Sequence, residues 1–318
     1  MGRADIRRHR AAPGHTRPVP PAQESVDRAV ERLVAADGLR MSTLVVSGAD
    51  RCFVHDFTAA RSPLVDLRSI TKAVVALAVG VAIGHGTRLR GRPLSLDLPI
   101  RPYFPDLASE VRLRHLLTST TGHAQGFLFR QDVAGREPDS LLEYVFTQEL
   151  IHPPGTHFAY SNAGWYLLSA LVRDELGVGL GDWVEDLLLA PLGITDVTWV
   201  RYGRYEAAAT GLSMSARDLA RVGRLLLAGG VHEGRRVVPE SWIATMRTPA
   251  VEASGAYDPP LRAHAYGVGL WICDDGIHYC DGTGGQFLIV SPRTGTVVVA
   301  LAEAGDTAVV ARCLGDVL

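Results

Sequence analysis

Lysine is almost absent from this chain: of the 32 Lys and Arg residues among its 318, a single one, Lys72, is lysine. Other absences set bounds. No run of about 18 apolar residues occurs, so no membrane-spanning helix is predicted. The formal net charge of −2 argues against a nucleic-acid partner. There are four cysteines, Cys52, Cys273, Cys280 and Cys313, and no C-x-x-C pair, so neither a zinc knuckle nor a redox motif is indicated. No H-E-x-x-H occurs, and His115, His123, His152 and His157 read as surface or cap residues. No Gly-rich stretch ends in G-K-[ST], so there is no phosphate loop. No metal and no cofactor is expected.

What is present explains the lone lysine's interest. It lies in "DLRSITKAVVALAVGVAI", where every residue from Ala73 to Ile83 is apolar or glycine. A helix apolar all round is a core helix. Burying an ammonium there is unfavourable unless it is paired or loses its proton. Arginine cannot lose that proton, whereas lysine can become a neutral, proton-accepting amine. A lysine snorkelling from the helix end to the surface is the alternative. Ser69 precedes Lys72 by three residues, which puts both on one face at the helix start. A serine hydroxyl needs such a neighbouring base to attack, and a helix N-terminus favours a developing oxyanion.

Hydrophobic periodicity divides the chain. Residues 1–23 are rich in Arg and Pro, lack a signal-peptide core, and read as a disordered tail on a cytoplasmic protein. "ESVDRAVERLVAAD" reads as an amphipathic helix, and "MSTLVVSG" with "CFVHDF" as a strand hairpin. The buried helix is expected over 69–84, and residues 85–250 are mostly helical patterns broken by Gly and Pro. From Tyr266 the pattern changes to consecutive antiparallel strands, and "DTAVVARCLGDVL" ends the chain as a helix. Strands at both ends imply an α/β (α+β type) fold. Its antiparallel sheet is built from both termini and flanked by helices, and an inserted, mainly helical lobe lies beside it. The domain spans 24–318, with a sheet lobe at about 24–66 and 264–318 and a helical lobe at about 67–263.

Two further motifs carry chemistry. In "PPGTHFAYSNAGWYLLSALV", Tyr160 can exchange a proton if a nearby ammonium lowers its pKa, and Asn162 can bond a substrate amide. Ser161 or Asn162 also fits a plain helix cap. In "YCDGTGGQFLIVSP", Gly282, Gly284 and Gly285 permit close approach of a ligand or of another strand, or make a hairpin turn.

The order S-x-x-K, Y-x-N and Gly-bearing strand resembles serine β-lactamases and penicillin-binding proteins. The likeness is to their class C branch, nearest to esterases and 6-aminohexanoate-dimer (nylon-oligomer) hydrolases, and covers roughly 25–317. "VRLRHLLTSTTG", "APLGITDVTW" and "GLSMSARDLARVGRLLLAGG" look like further landmarks. The resemblance implies that Ser69 is the acylated nucleophile, that Lys72 and Tyr160 form the proton relay, and that the backbone N–H groups of Ser69 and Thr283 form the oxyanion hole. Asn162, Asp281 and Gly282 would contact substrate. Which of Lys72 and Tyr160 is the base in each step stays open. The sequence departs from the family at Cys280-Asp281-Gly282, where β-lactamases carry Lys-Thr-Gly or His-x-Gly, so recognition of a substrate carboxylate is in doubt. The expected function is hydrolysis of a small-molecule ester or amide through an acyl-enzyme. Acyl transfer through the same intermediate, or a non-catalytic binding or sensor role, are the alternatives.

Overall fold

The computed structural model describes residues 21–59, 63–107 and 110–318. Most of the tail expected at 1–23 lies outside the described residues. The first element is helix α1 (Gln23–Ala35), followed by strands β1 (Arg40–Ser47) and β2 (Cys52–Asp56). The other strands of the main sheet come from the C-terminal part. They are β3 (Val251–Glu252), β4 (Ala263–Tyr266), β5 (Trp271–Cys273), β6 (His278–Gly282), β7 (Gln286–Ser291) and β8 (Thr296–Ala304). The eight strands run β3-β4-β5-β6-β7-β8-β1-β2, every pair antiparallel. The two ends of the chain meet at β8 and β1, where Val299 faces Val45 and Val298 faces Val46. This is the sheet built from both termini that the sequence implied.

The period-two alternation of a strand sends neighbours to opposite faces, and both faces are covered. Leu44, Val46, Phe287, Ile289, Val298 and Ala300 join the core under α1 and the last helix, α6 (Thr307–Cys313). Val45, Cys280, Leu288, Val290, Val297 and Val299 join the larger core, shared with the helical segment. That segment contributes α2 (Thr71–Gly84), α3 (Ala163–Leu176), α4 (Ala216–Leu227) and α5 (Glu240–Arg247). Helix α4 lies directly on β7, β8 and β1. Helix α2 is buried from Thr71 to Ala82. On one side it receives Trp242 of α5, whose indole N–H donates to the Ala76 carbonyl at 2.9 Å. Gly80 makes this possible, since a Cβ there would lie 2.0 Å from the Trp242 ring.

The stretch 85–250 also holds short strand pairs beside its helices, including Arg88–Leu89 with Arg92–Pro93 and Arg201–Tyr202 with Tyr205–Glu206. A three-stranded patch joins Val65–Asp66 and Thr198–Trp199 to Leu212–Met214. Two-residue strands show no measurable alternation, so no periodicity announces them. The patch matters because it anchors the chain just before Ser69. Among the described residues no helix is long and apolar enough to cross a membrane.

Candidate active site

Ser69 lies in a single 3-10 turn, Arg68–Ile70, that runs directly into α2. Arg68 enters this turn with φ at 53°, a left-handed conformation that is strained for a residue with a Cβ, by about 1–3 kcal/mol. Its neighbours hold it there. The Arg68 backbone N–H donates to Asp66 Oδ1 at 2.9 Å, and its guanidinium pairs with Asp66 Oδ2 at 3.0 Å. The Leu67 N–H is bonded to the Leu212 carbonyl at 2.9 Å. Ser69 is thereby presented at the head of a rigid helix, half-buried, with the helix's free N–H groups beside it.

Lys72 is 1% exposed and does not reach solvent, so it does not snorkel. Its Nζ is 3.1 Å from Ser69 Oγ, 2.8 Å from Asn162 Oδ1 and 3.1 Å from the Ala209 carbonyl, and lies 4.7 Å from the centre of the Tyr160 ring. Burial lowers its pKa from 10.5 to about 7, against an opposing pull from the Asp281 charge. Tyr160 moves the other way. Burial, then the Asp281 charge, push its phenol up, and a hydrogen bond with Ser69 partly offsets this. At neutral pH the phenol is therefore protonated, while the Lys72 amine titrates near pH 7.

Asn162, expected to orient substrate, is bound at both ends of its carboxamide. The oxygen accepts from Lys72, and Nδ2 donates to the Leu128 carbonyl at 3.0 Å. Ser161 secures the turn before α3: its hydroxyl accepts the Ala163 N–H at 3.1 Å and donates to the Phe127 carbonyl at 3.0 Å. The Y-x-N motif thus places Tyr160 beside Lys72 and Asn162 on the Lys72 amine, with Ser161 tying the turn between them.

The third motif lies along β6. Cys280 faces the larger core, and burial, then the nearby Asp281 charge, push its thiol well up, so it is neutral. Gly282 packs on the Ser69 turn: a Cβ there would sit 2.6 Å from both Arg68 Cβ and the Leu67 carbonyl oxygen. That close approach brings the segment carrying Thr283 against the turn carrying Ser69. Asp281 is half-buried and accepts the Tyr257 hydroxyl at 2.7 Å. Burial raises its carboxyl, while the Tyr257 hydroxyl and the Lys72 charge pull it back.

Several neighbours had no sequence signal. The Ala209 carbonyl acts through backbone alone. Trp271, Tyr257, Tyr266 and Phe158 surround Tyr160 or Asp281 from strands and loops that read only as scaffold. Of the histidines, His123 is buried rather than at the surface. Its Nδ1 bonds Thr121 Oγ1 at 2.7 Å, and burial lowers its pKa to about 4. Among the described residues no group of three or more His, Cys, Asp and Glu side chains is arranged to hold a metal ion.

Residues 59–312 match the family described as Beta-lactamase. The chain is 28% identical over 271 residues to the 6-aminohexanoate-dimer hydrolase of Paenarthrobacter ureafaciens, covering 76% of this chain and 66% of that one. It is 30% identical over 149 residues to esterase EstB of Burkholderia gladioli, covering 42% and 38% of the two chains. Among solved structures, EstCE1, a hydrolase with promiscuous acyltransferase activity, superposes with a TM-score of 0.72 at 17% identity, covering 92% of this chain and 99% of its own. The chain spans 66% and 64% of the length of the first curated relatives it matches.

Proposed function

The chain belongs to the Beta-lactamase family, and from that premise we propose that it is a serine hydrolase that cleaves an ester or amide through an acyl-enzyme on Ser69. The observation that carries this reading is the Lys72 amine: buried, close to neutrality near pH 7, and 3.1 Å from Ser69 Oγ. As Ser69 attacks the substrate carbonyl, its proton passes to neutral Lys72. The carbonyl oxygen becomes an oxyanion, bound by the backbone N–H groups of Ser69 and Thr283. Tyr160, protonated at rest, gives its proton to the departing alcohol or amine and recovers one from the Lys72 ammonium. Water then enters, gives up a proton to the same relay and releases the acid, restoring Ser69.

The charge balance of the site supports a substrate class. Cys280 is neutral where a cation would hold a carboxylate, and the Arg68 guanidinium is paired with Asp66. We therefore expect kcat/KM to favour a neutral short-chain aryl ester over an anionic chromogenic cephalosporin. Relatives named for amide hydrolysis, ester hydrolysis and promiscuous acyl transfer support both water and an amine or alcohol as acceptors. The four cysteines are free thiols, which suits the reducing cytoplasm we propose as its location.

The test is intact-mass spectrometry of the protein with a slow aryl ester, followed by peptide mapping. One acyl adduct on Ser69, absent from Ser69→Ala, supports the reading, and an adduct on another residue overturns it. Adding a primary amine to the same reaction measures partition. Amide product in place of acid would assign acyl transfer.

A further inference from the structure

The oxyanion hole proposed above has one half on a rigid element and one half on a turn. Ser69 stands at the head of α2, whereas Thr283 lies in the short connection Thr283–Gly285 between β6 and β7, just past the ladder pair of Gly282 with Gln286. Gly284 and Gly285 both take φ at 101°, so the softest backbone of the connection follows Thr283 directly. What steadies it comes from behind. The Gly284 N–H donates to Oγ1 of Thr307, the first residue of α6, at 3.2 Å. Gly285 lets α6 and β8 close on the turn, since a Cβ there would lie 3.1 Å from Val310 Cγ2 and 3.2 Å from Ala302 Cβ. The Gln286 side chain ties the far end of the turn to β8, its Nε2 donating to the Ala302 carbonyl at 2.6 Å. In front, Gly282 packs on the Ser69 turn. The hairpin is thus gripped between that turn and α6, with Thr283 between the two.

We propose that Thr307 is a positioning residue for the oxyanion hole: by holding the Gly284 N–H it fixes the direction of the Thr283 N–H one residue earlier. The inference deepens the acyl-enzyme reading above and rests on it. Two planar peptides meet at Thr283, and the Thr283 Cβ confines the torsions between them. The Thr307 hydroxyl grips the second of these peptides, the one joining Thr283 to Gly284, ahead of the torsions of Gly284 and Gly285. The freedom of the two glycines is then isolated from the Thr283 N–H. An oxyanion exists only once the carbonyl has been attacked, so a slackened donor weakens the transition state and not the bound ester.

The test is hydrolysis of a neutral short-chain aryl ester together with inhibition by phenylboronic acid, whose tetrahedral adduct on a serine resembles the attacked carbonyl. Acylation and deacylation both pass through an oxyanion, so kcat reads the hole whichever step is slow. Thr307→Val keeps the shape of the side chain and removes the acceptor. It should lower kcat by about tenfold, the effect of a donor displaced rather than deleted, raise the boronic acid's inhibition constant to match, and leave KM unchanged. Thr307→Ser should restore both. Asp306→Ala is the control. Asp306 Oδ1 accepts the Ala308 N–H at 2.7 Å at the start of the same helix, so its loss should lower the melting temperature with kcat as in the wild type. Wild-type kcat in Thr307→Val, no recovery in Thr307→Ser, or an equal fall in Asp306→Ala overturns the inference while leaving the hydrolase reading standing. Absence of Ser69 acylation in the wild type overturns both. Thermal unfolding checks each variant, and if Thr307→Val fails to fold, Thr307→Ala takes its place in the same assays.

Discussion

Helices α2 and α4 are both buried against the same core, yet they are built on opposite plans. Helix α4 follows the amphipathic rule: Leu219, Val222, Leu225 and Leu226 are buried, and Asp218, Arg221 and Arg224 lie along its outer side. Its N-terminus is capped by Ser215, which accepts the Asp218 N–H at 3.1 Å. Its charges sit in water or in exposed pairs such as Arg221 with Asp218, which contribute little. Helix α2 has no outer side and no side-chain cap. Its one charged residue faces inward, held by Ser69, Asn162 and the Ala209 carbonyl. A charge on a two-sided helix stabilises a solvated surface. The same charge on a helix buried all round needs another reason to be there, and the reason we propose is chemistry.

The comparison can be broken most severely at the nucleophile. Ser69→Ala should lower kcat by about 10⁴-fold or more and leave the circular dichroism spectrum unchanged, because the hydroxyl carries chemistry and not packing. Next comes Lys72→Arg. It keeps the charge but cannot lose it near neutrality, and it should cost more than about tenfold in kcat, or ~1.4 kcal/mol. Retention of wild-type turnover would make Lys72 a structural cation.

Lys72→Met sharpens the contrast through stability. The unfolded chain holds the Lys72 proton up to 10.5, the folded chain only to about 7. Between those values the unfolded state binds more protons, so this group makes stability rise with pH from 7 toward 10. Lys72→Met should be inactive, at least as stable as the wild type at pH 7, and without that rise, as read by urea unfolding at several pH values. Smaller effects separate the two helices as scaffold. Gly80→Val on α2 forces a side chain into Trp242 and should cost about 1–3 kcal/mol. Arg224→Ala on the outer side of α4 should stay within about 0.5 kcal/mol.

The parts legible in the sequence were those with a period or a chemical exception. The long alternating and apolar runs at both ends specify the two-faced sheet, and an apolar run with one lysine specifies α2 and the Ser69–Lys72 pair. Asn162 is a different case, since its residue type suits a substrate amide and a buried ammonium equally. Only the fold shows the second use, by bringing it 2.8 Å from Lys72. The Ala209 carbonyl carries no side-chain signal, and the stacking of Trp271 on Tyr160 joins strand β5 to a loop more than a hundred residues earlier. Asp281 could not be aimed from sequence either, because the face it takes depends on the register in which β6 pairs with β7.

The composition itself supplies the most direct test of the central claim, that the α2 amine is a neutral base near pH 7. Lys72 is the chain's single lysine, so protein labelled with [¹³Cε]lysine gives one side-chain resonance, and its pH titration reads this amine alone. The account predicts an inflection near 7, moved by Asp281→Asn to lower pH. An inflection near the ordinary lysine value of about 10.4 would contradict it.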